Sequence, residues 1–313
     1  MWEEGFADLL LIRPRSQHKK CSTCVRHKIL LAKLSANEGA HRQQLMLYRQ
    51  HLDRQYRDRM AYWSSRSLSR LGMQSDGRQT VVITIDSMDH SKYAYPRSLA
   101  MCSKDFSTFI KPTLTCTAAL IHGFGVVIIL AEPYVHQTSS WTCDVLAYCL
   151  NILAQVPDLD LSQCEVIAFG DNSSKELKNN SVCRLLAGLT NSFRIKRSEL
   201  RTLESGHSHE DLDQVFSVLS AHLSTVQELH TPEDFRSSIQ EWLESPHVRP
   251  TEPRKYVRLI NQVRSWILVP TLEHFFFTVG LGCELQSIHS AESLLLFDCD
   301  IHAGKNIFMK FVF

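Results

Sequence analysis

Thr80-Val81-Val82-Ile83-Thr84-Ile85-Asp86-Ser87-Met88-Asp89 is the stretch on which the fold turns. Its first six residues are all β-branched, a type whose restricted χ1 and side-chain shape favour a pleated, buried backbone. A run this apolar reads as a strand covered on both faces. A carboxylate follows at once. The C-terminal ends of buried strands are where α/β folds build ligand sites, so Asp86 is a candidate from its position alone.

Further along, Glu165-Val166-Ile167-Ala168-Phe169 reads as a second buried strand and ends in Gly170-Asp171-Asn172. Between the two lie apolar runs at 116–122 and 125–130, split by Gly123-Phe124 and therefore predicted as a hairpin. A helix is predicted over 141–155, with Cys143, Leu146, Ala147, Leu150, Leu153 and Ala154 on one face and Pro157 as its stop. Ser173 and Glu176 have capping-box spacing for a helix running to about Leu189, with Lys175, Lys178, Asn179 and Asn180 on its polar side. Residues 194–203 are predicted to be a strand. The order strand, hairpin, helix, strand, helix, strand, helix predicts an α/β core over 79–231.

That last helix is introduced by Gly206-His207-Ser208-His209-Glu210-Asp211-Leu212-Asp213, dense in metal-capable side chains. Burying such groups is costly unless they are paired or bind a cation. Carboxylates gathered from several elements can hold two divalent cations that stabilise the attacking and leaving oxygens of a phosphoryl transfer. Hard oxygen ligands of this kind suit Mg²⁺ or Mn²⁺. Asp86 and Asp171 fit that pattern, and Asp213 is the chosen third ligand because it shares a stripe with His209 and Phe216. Asp211 is a further candidate ligand, although its spacing from Ser208 also suits a helix cap. His207 and His209 would orient Asp213 or position the scissile phosphate. Lys92, Arg97, Asn172, Lys175 and Lys178 are candidates for nucleic-acid contact.

The first 78 residues differ in character from the rest. They carry 15 Lys/Arg against 7 Asp/Glu, whereas the remainder carries 19 against 26. A basic arm on a mildly acidic body suits a polyanionic partner, and a solvated helical face gives the same pattern. Residues 38–70 lack proline and predict a long helix. Leu45, Tyr48, Leu52, Tyr56, Met60 and Trp63 form its apolar stripe, expected to pack on the body. Arg42, Arg49, Arg57, Arg59, Arg66 and Arg70 cover the rest, either for phosphates or as a cationic face in water. Ahead of it, Cys21-Ser22-Thr23-Cys24 is half of a zinc site, since tetrahedral zinc takes four ligands. His18, His27, His41 and His51 could complete it, none at the usual finger spacing, and a pair of surface thiols is the alternative. The other eight of the 10 cysteines sit singly among apolar residues, as buried thiols of an intracellular, reducing environment. The start Met1-Trp2-Glu3-Glu4 lacks a signal-peptide n-region, and no apolar run is long enough to span a bilayer.

Past the core, Pro232 opens a helix with Phe235, Ile239, Trp242 and Leu243 apolar. Residues 246–256 hold three prolines and read as a linker, and the weakly punctuated tail after Tyr256 reads as irregular, degenerate or truncated.

Taken in order, Cys21-Ser22-Thr23-Cys24, His51-Leu52 with Arg59 and Tyr62, Asp86-Ser87-Met88-Asp89 with Lys92 and Pro96, Asp171-Asn172 with Lys178-Asn179-Asn180, and Gly206-His207-Ser208-His209 with Asp211 and Asp213 resemble an RNase H-like, transposase/integrase-type family. The likeness is to its members derived from eukaryotic mobile elements and covers roughly residues 20–245. The resemblance implies an α/β fold: an RNase H-like mixed sheet flanked by helices, with an N-terminal helical arm and a C-terminal helical or irregular tail. It also implies a DDE/DDD-type site, with Asp86, Asp171 and Asp213 as ligands of Mg²⁺ or Mn²⁺. DNA is the implied partner, the nucleus the implied location, and an oligomer is compatible with it. An active member would be a divalent-metal-dependent nuclease or transposase. Two departures are visible: Ser173-Ser174-Lys175-Glu176 stands where the family has Gly-Gly-Gln, and its glycine-rich ending is reduced to Gly280-Leu281-Gly282.

Two other readings stay open. A domesticated, non-catalytic DNA-binding or interaction module would keep the fold and lose the chemistry. A calcineurin-like metallophosphoesterase shares Gly170-Asp171-Asn172 and Gly206-His207-Ser208-His209, and a metallo-β-lactamase-like site shares His207-Ser208-His209-Glu210-Asp211. In the phosphoesterase, however, Gly-His-x-His leads into a strand, whereas the pattern after Asp211 is helical.

Overall fold

The computed structural model of the protein describes residues 21–75, 77–98, 110–171, 177–203, 211–245, 254–260, 277–279, 283–284 and 309–311. At residues 90, 91 and 171, and after 260, that description covers the backbone alone. The chain divides into two compact units, Met1–Arg54 and Gln55–Phe313.

In the first unit, α1 (Ser22–Lys33) is followed by the start of α2 (Glu38–Leu71), which continues into the second unit. Asn37 begins α2: its Oδ1 accepts the Ala40 N–H at 3.1 Å and its carbonyl accepts the His41 N–H at 2.8 Å.

The second unit is built on β1 (Gln79–Ser87), the quoted run. A short antiparallel pair, β2 (Arg97–Ser98) with β7 (Glu228–Leu229), stands apart from the main sheet. β1 pairs antiparallel with β3 (Thr115–Ile121) and parallel with β5 (Cys164–Asp171). Outward from β3 come β4 (Gly125–Ala131), antiparallel to it, and then β8 (Arg254–Ile260), parallel to β4. Outward from β5 comes β6 (Arg197–Leu203), parallel. This is the RNase H-like mixed sheet expected from the sequence. β11 (Met309–Phe311), β9 (Phe277–Val279) and β10 (Cys283–Glu284) continue the β6 edge. The helix expected from Pro232 is present over Pro232–Glu244, whereas the tail after Tyr256, read as irregular, contributes strands wherever it is described, and the linker expected at 246–256 overlaps β8.

Strand alternation assigns the two faces. Val81, Ile83 and Ile85 pack with Ala119, Ile121, Val127, Ile129, Val166 and Ala168 against α3 (Ser139–Leu153) and α4 (Asn180–Asn191). On the other face Ala118, Leu120, Val126 and Ile128 meet α5 (Asp211–Thr225) and α6 (Pro232–Glu244). Burial of each such aliphatic side chain is worth about 1.5–3 kcal/mol. α4 starts later than its sequence suggests. Its cap is Asn179, whose Oδ1 accepts the Val182 N–H at 3.1 Å, while Ser173 and Glu176 lie outside the described residues.

The long helix turns the opposite way from the expectation. Leu52, Tyr56, Met60 and Trp63 are exposed at 39%, 62%, 39% and 37%, whereas Gln55, Asp58, Tyr62, Ser65 and Ser69 are buried. These five are spaced by three or four residues and are polar. The sheet side supplies partners for Ser69 and Ser65. Ser69 Oγ donates to the His122 carbonyl at 2.6 Å and accepts the Val82 N–H at 3.0 Å. Ser65 Oγ accepts from Arg201 at 2.7 Å, and Arg201 also pairs with Glu199 and lies over the Phe169 ring. A buried donor or acceptor left unmet costs about 1–3 kcal/mol, so an apolar stripe on this surface would strand several of them.

α2 comes so close to the β3–β4 hairpin that only glycine fits at its tip. Gly123 has φ +86°, and a Cβ there would lie 2.9 Å from the Ser69 carbonyl oxygen and 3.0 Å from Arg70 Cα. Gly123→Ala is expected to lower stability by about 1–3 kcal/mol, read as a lower urea midpoint at unchanged slope. An unshifted midpoint would refute this account of the hairpin contact.

Candidate active site

Register brings the two strand-end acids together. Ile85 of β1 pairs with Gly170 of β5, so Asp86 and Asp171 follow one paired couple on neighbouring parallel strands. Backbones so related are about 4.8 Å apart. Asp86 is half-buried, and its Oδ1 accepts the Ser87 N–H at 2.8 Å. The rest of the motif anchors this strand end. Ser87 and Thr117 hydroxyls bond at 3.0 Å, Gln137 donates to Ser87 at 2.8 Å, and the Trp141 indole donates to Thr117 at 3.1 Å. Met88 is buried and accepts from the Tyr93 hydroxyl at 2.9 Å, while Asp89 is exposed.

α5 packs against β1 and β3 and opens with two acids in its first turn, Asp211 and Asp213. Asp211 is held by the protein itself. Arg66 Nη1 donates to both its oxygens at 2.7 and 2.8 Å, the Tyr62 hydroxyl donates at 3.3 Å, and Arg70 stands at 4.0 Å. Beneath it His122 is wholly buried, with Nε2 3.2 Å from the Tyr62 hydroxyl and 3.1 Å from Thr84 Oγ1, and Nδ1 3.8 Å from Asp211. Burial lowers the His122 pKa to about 3; Asp211 opposes the shift, and Arg70 and Arg66 add to it. The ring is therefore neutral at physiological pH. The sequence offers one signal for this group, a histidine at the end of an apolar hairpin strand. Asp213 is half-buried at the same helix start.

Two residues expected at nucleic acid have other surroundings. Arg97 donates to the Leu223 carbonyl and lies 5.7 Å over the Phe235 ring, and burial lowers its pKa. It joins β2 to α5 and α6. Lys178 is 2% exposed, with its pKa lowered by burial, and so does not occupy the solvent-facing position that phosphate contact requires. Lys92 is exposed. Asn172, Lys175, His207 and His209 lie outside the described residues, as does the Asp171 side chain. Arg66 and Arg70, read as surface cations, belong to the Asp211 cluster.

A family model described as a domain of unknown function (DUF7869) matches residues 106–275, more than half of the 313. The chain belongs to the DUF7869 family. Comparison with curated proteins gives no match. Among solved structures, the catalytic domain of Mos1 mariner transposase is similar over 78% of this chain and 88% of its own, at 12% identity and TM-score 0.40. A pre-cleavage Mos1 transpososome is similar over 80% of each chain, at 10% identity and TM-score 0.39.

In this DUF7869 member α5 is helical from Asp211 onward, where the phosphoesterase reading needs a strand. No helix among the described residues is long and apolar enough to cross a membrane. Among those residues Cys21, Cys24 and His51 form a metal-capable group, their ligand atoms all within 4.8 Å of one another. Of the candidate histidines that the structure describes, His27, His41 and His51, it is His51 that meets the cysteine pair.

His122 makes stability pH-dependent. Its folded pKa lies below the ordinary 6.5, so the unfolded chain takes up the proton first, and stability falls as pH drops from about 6.5 towards 3. Between pH 6.5 and 5, where most carboxylates stay ionised, wild type should lose stability at up to about 1.4 kcal/mol per pH unit. His122→Gln should be less stable at pH 7 but shallower in slope. Parallel slopes in urea titrations would show that His122 is not the group responsible.

Proposed function

We propose that the chain is a transposase-like enzyme that cuts and joins DNA strands at a carboxylate site of Asp86, Asp171 and Asp213. The observation that carries this reading is the register of β1 and β5, which sets Asp86 and Asp171 side by side at the C-terminal edge of an RNase H-like sheet. The helix start gives support. Of its two first-turn acids, Asp211 is engaged by Arg66 through both oxygens, and Asp213, half-buried at the same helix start, is the acid assigned the ligand role.

The donor set is made of hard oxygens, which fits Mg²⁺ or Mn²⁺ better than zinc. Bound there, such ions would stabilise the charge on the attacking and leaving oxygens. The protein's own part is positioning. The Ser87, Thr117, Gln137 and Trp141 bonds hold the end of β1, and neutral His122, tied to Thr84 and Tyr62, sets the α5 start against that strand without adding positive charge. DNA is the substrate in this reading, with exposed Lys92 among its contacts and Asn172, Lys175, His207 and His209 as further candidates. Arg42, Arg49 and Arg57, exposed along α2, suit phosphates, and the nucleus follows as the place of action.

The test is Mg²⁺- or Mn²⁺-dependent nicking and strand transfer on DNA. Asp86→Asn and Asp171→Asn should each reduce the rate by on the order of 100-fold or more while leaving the thermal midpoint near that of wild type. Undiminished cleavage in both variants would remove these acids from the site. A wild-type chain that binds DNA in a salt-dependent way and never nicks it would favour the non-catalytic DNA-binding module.

A further inference from the structure

The described residues of the N-terminal unit show little hydrophobic burial to hold them together. Among its described residues, 21–54, the buried ones are Cys21 and His51, at 4% and 6% exposed. α1 buries no residue, and Val25, Ile29, Met46, Leu47 and Leu52 are exposed. Units this small ordinarily need a disulfide, a metal or an apolar seam to stay folded.

The two buried residues are both of metal-ligand type and meet each other. His51 Nε2 lies 3.1 Å from Cys24 Sγ and 3.6 Å from Cys21 Sγ. A tetrahedral zinc with Zn–S of about 2.3 Å and Zn–N of about 2.0–2.1 Å sets its ligand atoms about 3.6–3.8 Å apart. These atoms need only small adjustments to receive it. The surroundings orient the ligands. The His27 ring stacks 5.4 Å from Tyr48 and 5.9 Å from His51, and Gln44 Nε2 lies 2.6 Å from His27 Nδ1. Outer contacts of this kind fix ring direction at metal sites.

We infer that Cys21, Cys24 and His51 hold a zinc ion that serves as the core of the N-terminal unit, clamping the start of α1 to α2. Two thiolate donors select zinc over the hard cations suited to the carboxylate site. Binding converts both thiols to thiolates, releases two protons to solvent and changes no oxidation state; the fourth zinc position is filled from outside these three side chains. The inference is independent of the nuclease reading.

Metal analysis of the full chain, purified without chelator, should find about one zinc per chain. Cys24→Ser and His51→Ala should each abolish it, and Asp86→Asn should retain it. Because a variant that cannot fold would also lose zinc, the wild type is exchanged with Co²⁺ as a second measurement. A thiolate-to-cobalt charge-transfer band with tetrahedral visible bands is expected. After EDTA treatment, proteolysis should open residues 21–54 while the sheet stays protected. Zinc that leaves with Asp86, a Co²⁺ spectrum without the thiolate band, or a Cys21–Cys24 disulfide in the native protein would each overturn the proposal.

Discussion

The bidentate contact of Arg66 with Asp211 governs how one face of the sheet is covered. Arg66 and Asp211 side chains remain 24% and 21% exposed, so the pair alone adds on the order of 1 kcal/mol. Its weight is geometric. It ties a helix from before the first strand to a helix from after the sixth, above a buried neutral histidine whose Nε2 is itself engaged by Tyr62 and Thr84. Arg66, Tyr62 and His122, drawn from two separate parts of the chain, meet at one carboxylate, and Thr84 from a third holds the histidine. Removing that carboxylate would leave a guanidinium and a phenol facing a buried imidazole.

Much of the sheet was legible because its signals are local. The β-branched run of β1, the glycine between β3 and β4, and the apolar run before Asp171 each specify backbone without reference to the rest of the chain. α2 was legible as a helix but not in its orientation. Hydrophobic periodicity points to Leu52, Tyr56, Met60 and Trp63, yet the facing surface carries Arg201, Glu199, Thr84 and His122. What a helix buries depends on what it meets, and that partner lies more than a hundred residues away for Arg201. Lys178 and Arg97 illustrate the same limit: composition marks them as cations but cannot tell a solvent-facing position from a buried or half-buried one.

The proposed sites divide the chain's metal chemistry by softness. Asp86 offers oxygen at a polar, hydrogen-bonded strand end, Asp171 shares its register, and Asp213 is the acid proposed to join them. Cys21, Cys24 and His51 offer sulfur and nitrogen inside a unit where, among the described residues, the buried ones are Cys21 and His51. Half of the zinc group was visible as a C-x-x-C pair. The histidine was visible only as one of four candidates, because His51 lies thirty residues after Cys21 and reaches the cysteines only when α2 folds back beside α1.

The polar seam of α2 has a consequence for how the protein is made. Tyr62 and Arg66 reach Asp211 across 149 and 145 residues, and β4 waits for β8 to complete its parallel pairing. Contacts this distant place the fold among slow folders, since loop closure must precede their reward. During synthesis the helix emerges long before its partners. Because the surface it will bury is hydroxyl, carboxylate and guanidinium, that surface stays solvated in the nascent chain instead of seeking an apolar substitute. The docking face of α2 is therefore one that can wait.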